Sequence, residues 1–339
     1  MIRSADLLAC AIACMLLVPA SGCLVASESE TEPDLGEVAS PVIGGKAATQ
    51  DQINATVAIL APDDPTYICS GILIAPSVVV TAAHCLFKDK NQFCTMEYSE
   101  YDLTVVAGAL DATTASEDQH YGIARMHYRK DFLCPMPSTI GKANDLAILL
   151  LKRPVNSLSP VPVLPIDKIK SNLSKGALVT IEGYGNYDSA MIEFGQLHTA
   201  ETPYQENNDT EFIAGTMSSP DTCIGDSGGP VYFTAGGTRH VVGMTSRQNN
   251  GPAGCSTATM GTIYTIPGAD EYNSWLKTNS DGAYTGSSFI SGGADGGVDG
   301  GSSGIPGCNC KVGSAPASSR TGLWLGVGLA LLVARRRRS

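Results

Sequence analysis

The strongest constraint on the fold of this chain is a series of short apolar runs, rich in β-branched residues, between positions 42 and 279. Gly, Pro, Asn or Asp separates most of these runs, and each is too short for a helix. Such runs are typical of strands in a barrel or a sandwich. The predicted strands include residues 56–60, 72–74, 78–80, 103–106, 146–151, 178–181, 241–244 and 262–266.

One clear helical pattern lies at the end of this region. Tyr272, Trp275 and Leu276 share a helix face and follow two acidic residues, as is typical near a helix N-terminus. The chain has 37 Gly and 19 Pro but only 16% charged residues, which argues against a coiled coil or a helical repeat. We therefore predict an all-β fold with a short C-terminal helix.

The N-terminal residues indicate export. Arg3 precedes an apolar run at 7–20, which is too short to span a bilayer but suits a signal peptide over residues 1–22. Residues 20–23 are similar to a bacterial lipobox, in which Cys23 would be acylated, and the alternative is ordinary secretion without a lipid. Residues 23–41 carry five acidic residues and no basic one. We expect this segment to be an acidic propeptide.

The C-terminal residues indicate attachment to the cell surface. Residues 280–307 contain 10 Gly and 6 Ser, as in a flexible linker. Residues 308–339 carry two cysteines, a short apolar stretch at 323–334 and four arginines at 335–338, which favour a cytoplasmic end. This tail resembles the sorting tail of myxobacterial surface proteins, which implies export to the surface or outer membrane of a diderm bacterium. A plain membrane anchor is the alternative.

The cysteine count agrees with export. Of 11 cysteines, three lie in the signal region and two in the tail, so that six remain between them. An even number in an exported chain predicts three disulfides, but the spacing alone does not choose among the pairings.

Three short segments carry residues suited to nucleophilic catalysis. His84 follows the predicted strand 78–80 in the sequence Thr-Ala-Ala-His-Cys, and Asp145 begins the apolar run that continues to residue 151. Ser227 stands in the sequence Gly-Asp-Ser-Gly-Gly at 225–229. A serine hydroxyl is a poor nucleophile at neutral pH and needs a base, which in turn needs an anion to orient it. Each residue alone has an ordinary structural interpretation, but the three together predict a catalytic site.

These segments, in the order His, Asp, Ser, resemble the trypsin-like serine endopeptidases of the chymotrypsin fold, over residues 42–279. The resemblance implies two antiparallel six-stranded β-barrels with the active site between them. It implies that His84 is the general base and acid, Asp145 its orienting partner and Ser227 the nucleophile. The backbone N–H groups of Gly225 and Ser227 would form the oxyanion hole. The implied disulfides are Cys69–Cys85, Cys94–Cys134 and Cys223–Cys255.

The same resemblance implies a zymogen. Cleavage before Val42 would free an α-amino group that pairs with the carboxylate of Asp226. Ser40 and Pro41 precede this bond, whereas the family usually has Arg or Lys there. We therefore expect a separate activating protease.

The resemblance also places a specificity pocket. Asp221 lies six residues before Ser227, where trypsin-like members keep the acid that pairs with Arg or Lys of the substrate, so we predict a basic preference. Where the family has Trp-Gly after the serine at 246, this chain has Arg and Gln, and we expect Arg247 to compete for negative charge near the pocket. The other predicted substrate-binding residues are Ser246, Gln248 and Thr262, of which Thr262 replaces an expected Gly.

The expected partners are polypeptide substrates, an activating protease, and the membrane or cell surface through the tail and Cys23. The net charge of −11 argues against nucleic acid. We expect no cofactor and no catalytic metal, since the six central cysteines have disulfide partners, while the acidic pair at 63–64 leaves a surface Ca²⁺ site open.

Two other functions compete with a peptidase. The first is a catalytically silent homologue that acts as a surface binding module, although such a protein normally lacks a member of the triad. The second is a serine hydrolase of another fold, but the α/β-hydrolases have the order Ser, Asp, His.

Overall fold

The structure is a computed structural model that describes residues 41–53, 55–89, 93–186, 194–250 and 261–288. The predicted signal peptide, the propeptide up to residue 40 and the tail at 308–339 lie outside the described residues, as does the linker beyond residue 288. Cys23 and Cys255 lie outside them too. None of the helices in the described ranges has the length and hydrophobicity needed to cross a bilayer.

Six strands follow the short strand β1 (Lys46–Ala47) and close into the first barrel. They are β2 (Thr56–Ala61), β3 (Asp64–Ala75), β4 (Val78–Thr81), β5 (Thr104–Ala107), β6 (His120–Tyr128) and β7 (Ala147–Leu151). Their spatial order is β2-β3-β4-β7-β6-β5, and every neighbouring pair for which a register is given is antiparallel.

The second barrel is built from the six strands that come next along the chain. They are β8 (Leu178–Gly183), β9 (His198–Asn207), β10 (Glu211–Ala214), β11 (Pro230–Ala235), β12 (Thr238–Gln248) and β13 (Thr262–Thr265). Their order is β9-β10-β13-β12-β11-β8, and the pairing of β9 with β8 closes the barrel. Strand β1 adds to the outside of β9.

The helices are short and lie outside the barrels' strand order. They are α1 (Pro41–Gly44), α2 (Ile166–Asn172) and α3 (Asp270–Asn279). Helix α3 buries Tyr272 and Leu276, and its first turn holds Asp270 and Glu271, whose charges suit a helix N-terminus. The predicted C-terminal helix is therefore confirmed.

The strands that lead to the candidate catalytic residues are buried on both faces. All four residues of β4 and all five of β7 are buried, and the two strands pair with Val80 opposite Ile148. Their burial fixes the turn after β4, which holds His84, and the loop before β7, which holds Asp145. Every predicted strand overlaps an observed one, and the prediction of two antiparallel six-stranded barrels with a C-terminal helix is confirmed.

Candidate active site

His84 lies in the 3₁₀ turn Ala83–Leu86, directly after strand β4. The neighbouring Cys85 is joined by a disulfide to Cys69 of strand β3, so the turn is attached to the barrel on two sides. The His84 side chain is only 7% exposed. The histidine is thus held at a fixed place on the first barrel.

Asp145 is aimed by an unusual backbone conformation in the residue before it. Asn144 has a φ of 54°, in the left-handed region that asparagine tolerates better than most residues. Its side chain donates from Nδ2 to the carbonyl of Asp131 and accepts from the Tyr272 hydroxyl of helix α3. These two contacts hold Asn144 in the conformation that turns Asp145 towards the histidine.

The Asp145 carboxylate is fully buried and accepts three hydrogen bonds. Oδ2 lies 2.9 Å from His84 Nδ1, and Oδ1 accepts the backbone N–H of His84 at 3.0 Å. The hydroxyl of Ser246 donates to Oδ2 at 2.6 Å. Burial alone would raise the pKa of Asp145, but attraction to His84 and these hydrogen bonds outweigh burial and hold the pKa below its ordinary value. The carboxylate is therefore an anion that fixes the imidazole with Nδ1 as the donor.

The loop before strand β11 presents Ser227 between glycines that cannot be replaced without displacing neighbours. Gly225 and Gly228 have φ angles of 97° and 80°. A Cβ on Gly228 would lie 2.1 Å from the Thr81 hydroxyl oxygen, and one on Gly225 would lie 2.7 Å from Gly185 Cα. The loop therefore packs its backbone directly against the first barrel and the strand β8 region.

The N–H groups of this loop divide into two sets. Those of Asp226, Gly228 and Gly229 donate to backbone carbonyls. Those of Gly225 and Ser227 donate to no acceptor within the residues that the structure describes. The two N–H groups predicted for an oxyanion hole are thus the ones left available for a substrate.

The backbone of Ser227 lies beside the turn that holds His84. Its carbonyl accepts the N–H of Ser70 at 2.8 Å, and the Cys85 sulfur lies 3.7 Å from the same oxygen. The Ser227 backbone, from the second barrel, therefore lies against the disulfide next to His84, and His84 is in direct contact with Asp145. No hydrogen bond joins the His84 imidazole to the Ser227 hydroxyl within the described part of the chain. Catalytic hydrogen bonds are often long in enzymes without substrate.

Comparison with known proteins agrees with this geometry. The family model described as Trypsin matches residues 42–276 of the chain. The chain belongs to the trypsin family of serine proteases. It is 27% identical to the CLIP domain-containing serine protease B4 of Anopheles gambiae, over 73% of this chain and 72% of that protein. It is 26% identical to the phenoloxidase-activating factor 3 of Holotrichia diomphalia, over 62% of this chain and 63% of that protein. It is 26% identical to the trypsin of Saccharopolyspora erythraea, over 60% of this chain and 86% of that protein.

The prediction of a trypsin-like serine endopeptidase is confirmed by this family membership. In this trypsin-family protease, three of the predicted substrate-binding residues lie together. Asp221 is buried, and its Oδ1 accepts the Thr262 hydroxyl at 2.6 Å and the Thr222 N–H at 2.9 Å. Gln248 at the end of β12 is the cross-strand partner of Thr262 at the start of β13. The Asp221 carboxylate thus contacts the start of β13, where this strand pairs with the end of β12.

The fourth predicted substrate-binding residue, Ser246, directs its side chain to Asp145, and its contact with a substrate stays a prediction. It is the extra residue where the register between β12 and β13 shifts, and such a bulge re-aims a side chain. Its hydroxyl is used by Asp145, as described above, so any contact of Ser246 with a substrate is left to its backbone. The sequence alone did not reveal this hydroxyl as part of the catalytic network.

Arg247 does not compete for the pocket's negative charge, and this expectation is wrong. Its guanidinium forms a two-pronged ion pair with Glu211 of strand β10, at 2.9 and 3.0 Å. Sequence reasoning missed Glu211, although a lone charged residue at the start of the buried strand Glu211–Ala214 was a possible signal. The charge of Arg247 is therefore neutralised away from Asp221.

Asp226, the predicted partner of a freed α-amino group, is completely buried. Its carboxylate accepts the N–H of Gly185 at 2.9 Å and that of Cys223 at 2.8 Å. Burial raises the pKa of Asp226 to about 7 against the effect of these hydrogen bonds. Among the described residues, no Lys, Arg or His side chain forms an ion pair with it. The site thus has a buried acid whose charged form is poorly stabilised.

Two of the three predicted disulfides are confirmed. Cys69 pairs with Cys85, and Cys94 pairs with Cys134. Cys223 is also disulfide-bonded, but its predicted partner, Cys255, lies outside the described residues. The described ranges contain one close group of possible metal ligands, formed by Cys69, His84 and Cys85, and its two sulfurs are already joined to each other.

Proposed function

We propose that this protein hydrolyses peptide bonds through an acyl-enzyme formed on Ser227. The observation that carries the proposal is the doubly hydrogen-bonded contact of Asp145 with His84, next to a loop whose Gly225 and Ser227 N–H groups are available. Asp145 holds Nδ1 as a donor, so that Nε2 is left to accept a proton. This is the arrangement that a serine nucleophile requires.

The proposed reaction has two stages. In the first, Ser227 Oγ attacks the substrate carbonyl carbon while His84 takes its proton, and the N–H groups of Gly225 and Ser227 stabilise the oxyanion. His84 then gives the proton to the leaving amine, and an acyl-enzyme remains. In the second stage His84 activates a water molecule that releases the acid and restores Ser227.

A fluorophosphonate probe tests these roles. The mature wild-type protein is expected to be labelled covalently, and Ser227→Ala and His84→Ala are expected to remain unlabelled. Ser218→Ala, which changes an exposed serine, is the matched control and is expected to react like the wild type. Wild-type protein that folds and is matured but takes up no probe would support the alternative function, a catalytically silent surface binding module.

We further propose that substrates are cleaved after Arg or Lys. The support is the burial of the Asp221 carboxylate beside the paired ends of β12 and β13. In addition, Arg247 forms its ion pair with Glu211 and not with Asp221. The Thr262 hydroxyl donates a hydrogen bond to Asp221, so the carboxylate already has one hydroxyl partner before a substrate binds. A basic substrate side chain would form a charge-assisted pair with this carboxylate.

Peptide substrates that differ only at the residue before the cleaved bond test this preference. Arg and Lys are expected to exceed Ala and Phe in kcat/KM, and Asp221→Asn is expected to lower kcat/KM for Arg by about 100-fold, the loss of one buried charge pair. Asn keeps an acceptor for Thr222 and Thr262, and the values for Ala and Phe substrates serve as the internal control. Equal cleavage of all four substrates by the wild type would overturn the proposed preference.

We also propose that the chain is made as a zymogen and matured by cleavage before Val42. Val42 is fully buried with a φ of 45°, a strained conformation for a β-branched residue, and cleavage would release it. The new α-amino group would supply the positive charge that buried Asp226 lacks. Because Pro41 precedes the bond, another protease performs the cut. N-terminal sequencing of active protein is expected to begin at Val42, and any other start would contradict this route.

Export and surface attachment are proposed from the terminal segments. The signal peptide at 1–22 would direct export, and the tail at 308–339, with or without lipid on Cys23, would hold the protein at the surface or outer membrane. If Cys23 is acylated, cleavage before Val42 separates the enzyme from that lipid and leaves the C-terminal attachment. Cell fractionation is expected to find the full chain in the membrane fraction and a chain truncated after residue 288 in the medium. Release of both forms to the medium would contradict surface attachment.

A further inference from the structure

The guanidinium of Arg247 uses all five of its N–H groups. Besides the two bonds to Glu211, Nε donates to the Pro137 carbonyl at 2.6 Å, and Nη2 donates to the Thr139 carbonyl at 3.1 Å. Nη1 donates to the hydroxyl oxygen of Ser246 at 3.3 Å. The Arg247 side chain is only 8% exposed. A guanidinium whose donors are all satisfied has one defined orientation.

Glu211 completes a clamp on the same segment of chain. Its side chain is fully buried, and its two oxygens accept the N–H groups of Gly141 at 2.8 Å and Ala143 at 3.2 Å as well as the guanidinium. The ion pair therefore binds backbone groups at four alternate positions, 137, 139, 141 and 143. This segment belongs to the first barrel's connection and leads directly into Asn144 and Asp145, whereas Arg247 and Glu211 belong to the second barrel.

A second contact of the ion pair reaches Asp145 from the other side. Nη1 of Arg247 donates a hydrogen bond to Ser246 Oγ, so the hydroxyl proton of Ser246 must point away from the guanidinium. This single proton is directed to Asp145 Oδ2 at 2.6 Å. Hydrogen bonds that run from Glu211 through Arg247 and Ser246 thus end on the carboxylate that holds His84.

We propose that Arg247 and Glu211 form a positioning pair that fixes Asp145, and through it the His84 imidazole, by clamping residues 137–143 and orienting the Ser246 hydroxyl. This inference rests on the catalytic roles proposed above for His84, Asp145 and Ser227. Neither residue touches the substrate's reacting atoms. Arg247 and Glu211, from the second barrel, instead fix the position of Asp145, which belongs to the first barrel.

The energetics favour a positioning role over a stabilising one. A buried ion pair gains little net stability over well-packed neutral residues, because desolvation of both charges offsets their attraction. Its geometry, however, is strict, since the planar fork matches a carboxylate in one orientation. A neutral pair in the same place is expected to preserve folding while losing the orientation of Asp145.

The test compares kcat and KM of the matured wild type with those of Arg247→Met/Glu211→Gln. Gln keeps an acceptor for the N–H groups at 141 and 143, and no unpaired buried charge remains. We expect kcat to fall roughly 10- to 100-fold, as for small displacements of catalytic groups, while KM changes less than about 2-fold. The matched control, Arg239→Met/Glu182→Gln, removes another Arg–Glu pair of the second barrel, in which Glu182 is buried and Arg239 is partly exposed, and is expected to keep kcat.

A double-mutant cycle separates positioning from a general effect on folding. If the pair acts partly through Ser246, then Arg247→Met/Glu211→Gln lowers kcat by a smaller factor in a Ser246→Ala background than in the wild-type background. Equal factors in both backgrounds would overturn the route through Ser246 and leave only the clamp on residues 137–143. An unchanged kcat in the folded double variant, or a change confined to KM, would overturn the positioning role itself. Melting temperatures establish that the variants compared are folded.

Probe labelling distinguishes the failure of this inference from failure of the proposed function. A matured wild type that Ser227-directed fluorophosphonate does not label overturns the catalytic roles and the inference together. A labelled wild type with an undiminished kcat in the double variant overturns only the positioning role of Arg247 and Glu211.

Discussion

At the scale of single residues, the site depends on side chains that hold an acid in place rather than on the acid alone. Asp145 is aimed by Asn144 in a left-handed conformation, and it is restrained by Ser246. Asn144 is fixed in turn by Asp131 and by Tyr272 from the last helix. A residue that precedes a catalytic group therefore matters through its backbone as well as its side chain.

Replacement of Asn144 by Ala and by Gly measures the backbone contribution. Both variants lose the same side-chain hydrogen bonds, so their difference reports the cost to a residue with a Cβ of a φ of 54°, offset in part by the greater entropy of glycine in the unfolded chain. We expect Asn144→Ala to have a free energy of unfolding about 1 kcal/mol lower than Asn144→Gly, because only glycine adopts this region freely. Urea denaturation of the two variants gives the difference. Equal stabilities would mean that the left-handed conformation is not retained.

At the scale of elements, the connection between β6 and β7 positions a candidate catalytic residue without any regular secondary structure. Residues 129–146 form no strand or helix, yet the connection ends at Asp145. It is held by the Cys94–Cys134 disulfide at one end and by the ion pair of Arg247 and Glu211 at the other. Irregular loops position catalytic groups well only when such cross-links restrain them.

Removal of the Cys94–Cys134 disulfide tests this restraint. The two cysteines are 40 residues apart in sequence, and a loop of this length gives an entropic stabilisation of about 4 kcal/mol. We expect Cys94→Ser/Cys134→Ser to lose about 2–4 kcal/mol in free energy of unfolding, as measured by chemical denaturation without reductant. Reduced wild-type protein is not a suitable control, since it loses the other disulfides too. A double variant as stable as the wild type would show that the other contacts hold the connection alone.

At the scale of the whole molecule, the two barrels contribute different parts of one site. The first supplies His84 and Asp145, and the second supplies the loop with Ser227, the hydroxyl of Ser246 and the buried Asp226. Asp226 connects the site to the proposed maturation, because its carboxyl is buried and has a raised pKa in the intact chain. Maturation is therefore expected to change how stability depends on pH.

The intact precursor is expected to lose stability as the pH rises from 4 to 7. The pKa of Asp226 is about 7 when folded and has an ordinary value of 3.8, so the folded chain binds the proton more tightly. This stabilisation is fully present below the ordinary pKa and is lost as the pH rises through 7, with a limit of about 4 kcal/mol for three pKa units. Melting temperatures of the Ser227→Ala precursor, which cannot cut itself, measure the decline.

Two comparisons assign this pH dependence to Asp226. The Asp226→Asn precursor is expected to lack this part of the decline in stability between pH 4 and pH 7, because Asn does not titrate. This holds whatever the absolute stability of the variant. The protein cleaved before Val42 is also expected to lack it, because the new amine stabilises the charged carboxylate. The assignment would be wrong if all three proteins showed the same change between pH 4 and pH 7.

Much of the fold and the chemistry could be predicted from local sequence. The short continuous apolar runs specify strands because a strand that is buried on both faces needs apolar side chains at successive positions, and every such run overlaps an observed strand. The segments around His84, Asp145 and Ser227 could be found because a nucleophile, a base and an orienting acid each need a particular residue type in a particular local setting.

Other features were decided by the tertiary structure. Ser246 reaches Asp145 across 101 positions and Arg247 reaches Glu211 across 36, so no local pattern specifies either contact. The prediction for Arg247 was wrong because its guanidinium pairs with Glu211 on β10, which is separated from β12 by strand β13, and not with an acid of the substrate pocket. The sequence by itself determined which residues are able to do chemistry, since that follows from their functional groups. Only the folded barrels determined which partners orient them, because hydrogen bonds depend on distances of about 3 Å between residues that are far apart along the chain.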